Sequence, residues 1–213
     1  MITTQQRLLE TGLDIARRHG LRSLTVRGLA LQAGVNPGSF VYHFGTRERF
    51  IEALIEHWYA PLLERLTLRA RAGGSPQARL LSLLEQLLDN LLDHGSFIGQ
   101  LFMDATAGEA GVLRFIATLG DRHIRLMLEA VADAQRAGQI QADEPIHVLM
   151  FIMAAAGLPA LLHFGLAEPK CLPAEICDAL DRLAADRDHV RRRLRWALAG
   201  VAYGAHPVCN DVP

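Results

Sequence analysis

Thr25-Val-Arg-Gly-Leu-Ala-Leu-Gln-Ala-Gly34-Val-Asn-Pro37-Gly-Ser-Phe-Val-Tyr-His-Phe44 reads as two short helices joined by a tight turn. Thr25 stands where an N-cap is needed, and Val26, Leu29, Ala30 and Ala33 recur at spacings of three and four, so small apolar side chains share one face. Gly34 follows the last of them, where a left-handed backbone suits a residue without Cβ, and Val35 then drops toward the core. Asn36 caps again, and Pro37 takes the first helical position, where its missing N–H costs nothing. A second helix therefore runs through Ser39, Phe40, Val41, Tyr42 and His43. The exposed side of this helix offers Pro37, Gly38, Ser39, Tyr42 and His43, a set of hydroxyls, an imidazole and bare backbone suited to close approach to a DNA groove. The pattern is that of a helix-turn-helix, although compact helical domains that touch no DNA also contain Gly-punctuated helix pairs.

Upstream, Thr3 or Thr4 caps a helix carrying Leu9, Leu13 and Ala16 at helical spacing, and Gly20 closes it. Leu21 and Leu24 pack back to complete a three-helix core. Downstream, Thr46 caps a fourth helix on which Phe50, Ile51, Leu54, Ile55 and Trp58 hold the period until Pro61, where a break or kink is expected. The N-terminus of that helix, with free N–H groups and Arg47 beside it, reads as a phosphate clamp, the alternative for Arg47 and Arg49 being a solvated helix start.

Residues 25–50, which end His43-Phe-Gly-Thr-Arg-Glu-Arg-Phe50, resemble the DNA-binding domain of the TetR (tetracycline-repressor) family of transcription regulators. The resemblance implies an all-α chain, with a helix-turn-helix DNA-binding domain over residues 1–45 and a helical effector-binding and dimerisation domain over 46–213. It implies a double-stranded DNA operator, near-palindromic and read by a homodimeric repressor, with Thr25, Arg27, Tyr42 and Arg47 on phosphates. Pro37, Ser39, Val41 and His43 then lie near base edges, and Gly38 admits the backbone to the groove. The helix from Thr46 to Tyr59 is the expected lever between effector and operator. Two positions depart from the family pattern. Val41 stands where an aromatic residue is usual, which leaves a methyl contact to thymine in its place. Ala16 replaces a large aromatic, so Phe40 or Phe44 is expected to fill that part of the core.

The charge distribution agrees with a polyanion partner for the head. The 213 residues carry a net charge of −1, yet residues 1–50 hold seven arginines against three carboxylates, a balance of +4. The rest has 15 basic and 20 acidic residues, a balance of −5. Cys171, Cys177 and Cys209 are odd in number and lack metal-ligand spacing, so reduced thiols, no metal and no cofactor are expected. No apolar signal-peptide core opens the chain, and the apolar run Val148–Leu162 is short for a bilayer span, which points to a soluble, cytoplasmic protein without a membrane partner.

From Leu62 onward the pattern stays helical, with breaks at residues 73–76, near 94–96, at 108–111, 137–138, 143–145 and 169–173. Leu80, Leu81, Leu84, Leu87, Leu88, Leu91 and Leu92 make a strongly amphipathic core helix. Another is expected over Val112–Val131, and two long ones over Pro145–Ala167 and Pro173–Tyr203, through which the homodimer forms. Arg191, Arg192 and Arg193 read as a solvated face or as partners of Asp186 and Asp188. Phe102, Met103, Phe115, His123, Met127, Phe151, Met153, His163 and Phe164 are the candidate lining of a pocket for a small, largely apolar effector, and equally read as ordinary core. A helical enzyme using Asp104, Glu109 and His123 lacks a nucleophile elbow, a His-Glu-x-x-His and a phosphate loop. A protein-interaction adaptor with no operator is disfavoured by the basic head.

Overall fold

The computed structural model describes residues 2–165 and 173–204. Ala167, Cys171, Cys209, most of the expected 169–173 break and the tail from His206 lie outside them. The helices are α1 (Thr4–His19), α2 (Val26–Gln32), α3 (Pro37–Phe44), α4 (Arg47–Ala70), α5 (Pro76–Thr106), α6 (Ala110–Thr118), α7 (His123–Arg136), α8 (Pro145–Gly165), α9 (Ala174–Ala179) and α10 (Arg187–Val201). Among the described residues there is no strand, only a bridge between Ile140 and Ala202 that ties the end of α10 to the α7–α8 connection.

Capping places the head helices as their sequences dictate. The Thr3 hydroxyl accepts the Gln6 N–H while the Gln6 side chain accepts the Thr3 N–H, a reciprocal pair at the start of α1. Gly34 has φ 63°, and the Val35 N–H reaches back to the Ala30 carbonyl at 3.0 Å, which satisfies the end of α2 and aims α3. Asn36 and Thr46 cap α3 and α4 through bonds to the Gly38 and Arg49 N–H groups. The head core is aromatic: Phe40, Phe44 and Phe50 are buried with ring centroids 4.9–5.6 Å apart. Phe40 and Phe44 of α3 thus share the head core with Ala16, and Phe50 of α4 joins them. Gly12 makes this possible, since a Cβ there would lie 2.6 Å from the Phe50 ring and 2.7 Å from Leu54.

In the body, α5 packs on α4, α7 and α8, and α8 packs on α10. Four places differ from expectation. Helix α4 continues through Pro61 to Ala70, because Pro61 and His57, four residues earlier, are both on the exposed side, where the carbonyl deprived of its bond meets water. The expected break near His94 is a single non-helical residue (φ −128°, ψ 19°) inside α5. The helix resumes at Gly95, whose bare Cα accepts the Phe164 ring so closely that a Cβ would sit 1.9 Å from it. Conversely, Val112–Val131 is two helices, parted by a turn at Leu119–Asp121 around Gly120, and Pro173–Tyr203 is parted at Asp186, whose side chain caps α10 through the His189 N–H.

The apolar helix α8 is split between two environments. Val148, Leu149, Ile152, Ala156 and Ala160 are buried, while Ile146, Met150, Phe151, Leu158 and Leu162 are exposed. The triple arginine lies mostly outside the expected pairings: Arg193 donates to the Leu183 and Ala184 carbonyls and Arg191 approaches Asp89. Arg187 is the main ionic link, to Asp89 and Asp93 of α5.

Gly12→Ala is expected to overpack the junction of α1 and α4 and to lower stability by about 1–3 kcal/mol. A urea-unfolding series with unchanged slope and a lowered midpoint checks it, and an unchanged midpoint would show that Phe50 has room to move.

Candidate nucleic-acid interface and head–body junction

Helix α3 is pinned from behind by Phe40 and Phe44 and faces solvent with Pro37, Gly38, Val41 and Tyr42, while Ser39 and His43 are half-buried at its sides. Tyr42 is 85 % exposed and Val41 59 %, which is unusual for residues of this size and leaves both free to meet a partner. The Tyr42 and His43 rings meet edge-on at 5.0 Å. Thr25 and Arg27 are exposed at the start of α2, where the Thr25 hydroxyl accepts the Gly28 N–H at 3.2 Å. Eight of the nine sequence-predicted DNA-contacting residues, Thr25, Arg27, Pro37, Gly38, Ser39, Val41, Tyr42 and His43, therefore belong to one exposed or half-exposed surface of α2 and α3. The exposed face of α3 has no guanidinium or carboxamide for paired hydrogen bonds to a base edge, so Val41, Tyr42 and the backbone at Gly38 are what it offers a groove.

Arg47 is the exception, because its guanidinium is turned into the protein. Its Nε donates to the Leu24 carbonyl at 2.8 Å and Nη2 to the Leu21 carbonyl at 2.9 Å. Nη1 and Nη2 also grip the Glu109 carboxylate at 3.1–3.3 Å. All three nitrogens are engaged within the protein, and Glu109 is only 9 % exposed. Sequence spacing placed Arg47 beside the recognition helix correctly but carried no sign of Glu109, 62 residues away. Asp104 completes the junction: it is buried and accepts the Leu21 N–H at 2.7 Å.

The nine residues expected around a common effector site are not brought together. Phe102 (52 % exposed), Met103 (58 %) and Phe151 (50 %) point outward, which corrects their assignment to an interior lining. The break at His94 resets the helical phase of α5, so Phe97 and Leu101 take the core positions and Phe102 and Met103 do not. His163 lies at the far end of α8, 3.3 Å from Asp181, with Phe164 against Gly95. Met127 is core and Met153 packs against it. Phe115 and His123 do share a site, with a partner that sequence reading passed over. The Tyr59 hydroxyl is 2.8 Å from His123 Nδ1, and the Tyr59 ring stacks edge-on with Phe115 at 5.1 Å. Arg122 lies over both rings at 5.4 and 6.0 Å and is held by Glu56 at 2.6 Å. The signal was present in the i, i+4, i+8 series Ile51, Ile55 and Tyr59. Among the described residues no group of acidic, His or Cys side chains could hold a metal.

A protein-family model described as bacterial regulatory proteins of the tetR family matches residues 8–54, from the second turn of α1 to the second turn of α4. The chain therefore carries a TetR-type DNA-binding domain at its head. It is 27 % identical to the HTH-type transcriptional repressor NemR of Escherichia coli K12 over 137 residues, 64 % of this chain and 69 % of that one. A TetR transcription regulator from Haloarcula marismortui shares the fold with a TM-score of 0.69 at 15 % identity, covering 93 % and 98 % of the two chains. A transcriptional regulator from Saccharomonospora viridis in complex with choline does so with a TM-score of 0.68 at 14 % identity, covering 93 % and 97 %. The TetR-family resemblance of residues 25–50 and the all-α class are thus borne out.

Burial holds the His123 imidazole down to about 4, well below its ordinary value near 6.5, so it is neutral at pH 7. Because protonation favours the unfolded chain, this stability is fully present above about pH 6.5 and is lost as the pH falls toward 4. Each pH unit in that window is worth at most about 1.4 kcal/mol. Urea midpoints from pH 7 to 4 are expected to fall more steeply for the native chain than for His123→Gln; parallel curves would contradict the buried neutral imidazole.

Proposed function

We propose that this chain is a TetR-family regulator, a cytoplasmic, homodimeric repressor that binds a near-palindromic operator through α3 and is released by a small, largely apolar effector held in the body. The observation that carries the reading is the exposed, aromatically braced α3 on a head with a +4 balance. NemR, named a repressor, supports the sign of regulation. Dimerisation through α8 and α10 is supported by the exposed row Met150, Leu158 and Leu162 on one and Trp196 on the other. The S. viridis regulator, in complex with choline, supports a small-molecule role for the helical body. Within that body the site around Tyr59, Phe115, His123 and Arg122 is the best-founded place for effector contacts, since it joins a hydrogen-bonding pair to two aromatic faces. It also lies directly on α4, the helix that enters the head.

Selection of bound genomic fragments by the purified protein, followed by anisotropy titrations over a range of salt, tests the reading. A near-palindromic site whose affinity falls steeply with salt is expected, and the absence of any enriched site would refute it. Within the winning site, Val41→Ala is expected to cost roughly 1 kcal/mol, the low end for one altered position. Replacing the contacted thymine by deoxyuridine, which lacks the methyl, should cost the same and add nothing in the variant. Independent, additive losses would place Val41 away from that methyl.

A further inference from the structure

Arg47, Leu21, Asp104 and Glu109 form a closed circuit between head and body. The Leu21 N–H is held by the Asp104 carboxylate and the Leu21 carbonyl by Arg47. Arg47 is held in turn by Glu109, and the Glu109 N–H returns to the Asp104 carbonyl at 2.9 Å. Asp104 lies in the last turn of α5 and Glu109 immediately before α6, so the two carboxylates flank the short connection between those helices. The head corner that they grip is equally specific: Gly20 has φ 75°, and a Cβ there would lie 3.1 Å from the Gln100 side chain and 3.4 Å from both Asp104 oxygens. Beyond the circuit, Glu52–Arg114 and Glu56–Arg122 continue the connection from α4 to α6 and to the start of α7. Those pairs are more exposed and weaker. Gly111 lets α6 close on Ile51 of α4, a Cβ there falling 2.6 Å from that side chain.

We infer that Arg47 is a positioning residue that sets the angle of the DNA-binding head on the body through Leu21, Leu24 and Glu109, and does not contact the operator backbone. The inference rests on the head being a DNA-binding unit and assigns what fixes its orientation. Its physical basis is geometric. A planar guanidinium bonded to two carbonyls of the α1–α2 connection and to a carboxylate at the N-terminus of α6 has one orientation. A shift of the Asp104–Glu109 connection therefore moves Leu21 and Leu24 with it. A lysine at 47 keeps the charge but has no fork to span three acceptors.

The circuit and a phosphate contact give opposite results in one set of titrations on the selected operator. Arg47→Gln, Arg47→Lys, Glu109→Gln and the double variant R47Q/E109Q are compared with the native chain, each shown folded by its thermal transition. Glu109→Gln, which touches no head backbone itself, keeps the test alive if the Arg47 variants do not fold. For a positioning role, R47Q and E109Q each weaken the operator about tenfold, the double variant is no worse than either alone, R47K fails to restore binding, and the salt slope stays native. For a phosphate contact, R47Q lowers the salt slope by roughly one unit, R47K restores it, and E109Q binds as the native chain does. That second pattern, or native affinity in every variant, overturns the inference. A native chain that binds no operator fails the functional reading instead, which is read before any variant is made.

Discussion

The contact on which the head depends is the cluster of Phe40, Phe44 and Phe50, with the Phe50 ring seated against Gly12. A helix as short as α3 has little stability of its own in water, since nucleation alone fixes several residues for one hydrogen bond. Its shape is fixed by the Asn36 cap and by Phe40 and Phe44, which bury one face against Phe50 of α4. Because that face is fully used, the opposite one can be left as Val41 and Tyr42 in solvent without the helix unravelling. A DNA-reading surface of this kind exists only because its reverse side is packed to the density of a protein interior.

Local chemistry was legible wherever it is encoded within a few residues. The caps at Thr25, Asn36 and Thr46, the left-handed Gly34 and the proline start of α3 all follow from side chains next to the groups that they satisfy. What sequence could not give is contact between segments far apart in the chain. Arg47 reads as a phosphate ligand from its place next to the exposed α3, while the carboxylate that it holds lies at position 109. The pocket residues failed for a related reason. Phe102 and Met103 follow a helix break whose effect on phase cannot be read from periodicity, since one non-helical residue at His94 turns every later side chain to a new face. Phe115 and His123 met because both are drawn to Tyr59, the third member of an α4 stripe that was read only as far as Trp58.

Helix α4 joins these two levels of organisation. Its first turns belong to the head, where Phe50 and Leu54 meet α1, and its later turns belong to the body, where Tyr59 meets Phe115 and His123. No loop separates the two, and the helix does not yield at Pro61. A displacement near Tyr59 is therefore carried along one continuous helix toward Arg47, at its first residue, so the Tyr59–His123 pair and the Arg47–Glu109 junction share one mechanical part.

In the proposed homodimer the exposed half of α8 makes the folded state depend on how much protein is present. A single chain leaves Ile146, Met150, Phe151, Leu158 and Leu162 in water, a cost that only association can remove. When two chains must meet before a two-fold operator can be filled, occupancy at low abundance rises with the square of the chain concentration. A cell holding such a regulator at scarce copy number obtains a sharper threshold between bound and vacant DNA from the apolar surface alone, before any small molecule acts.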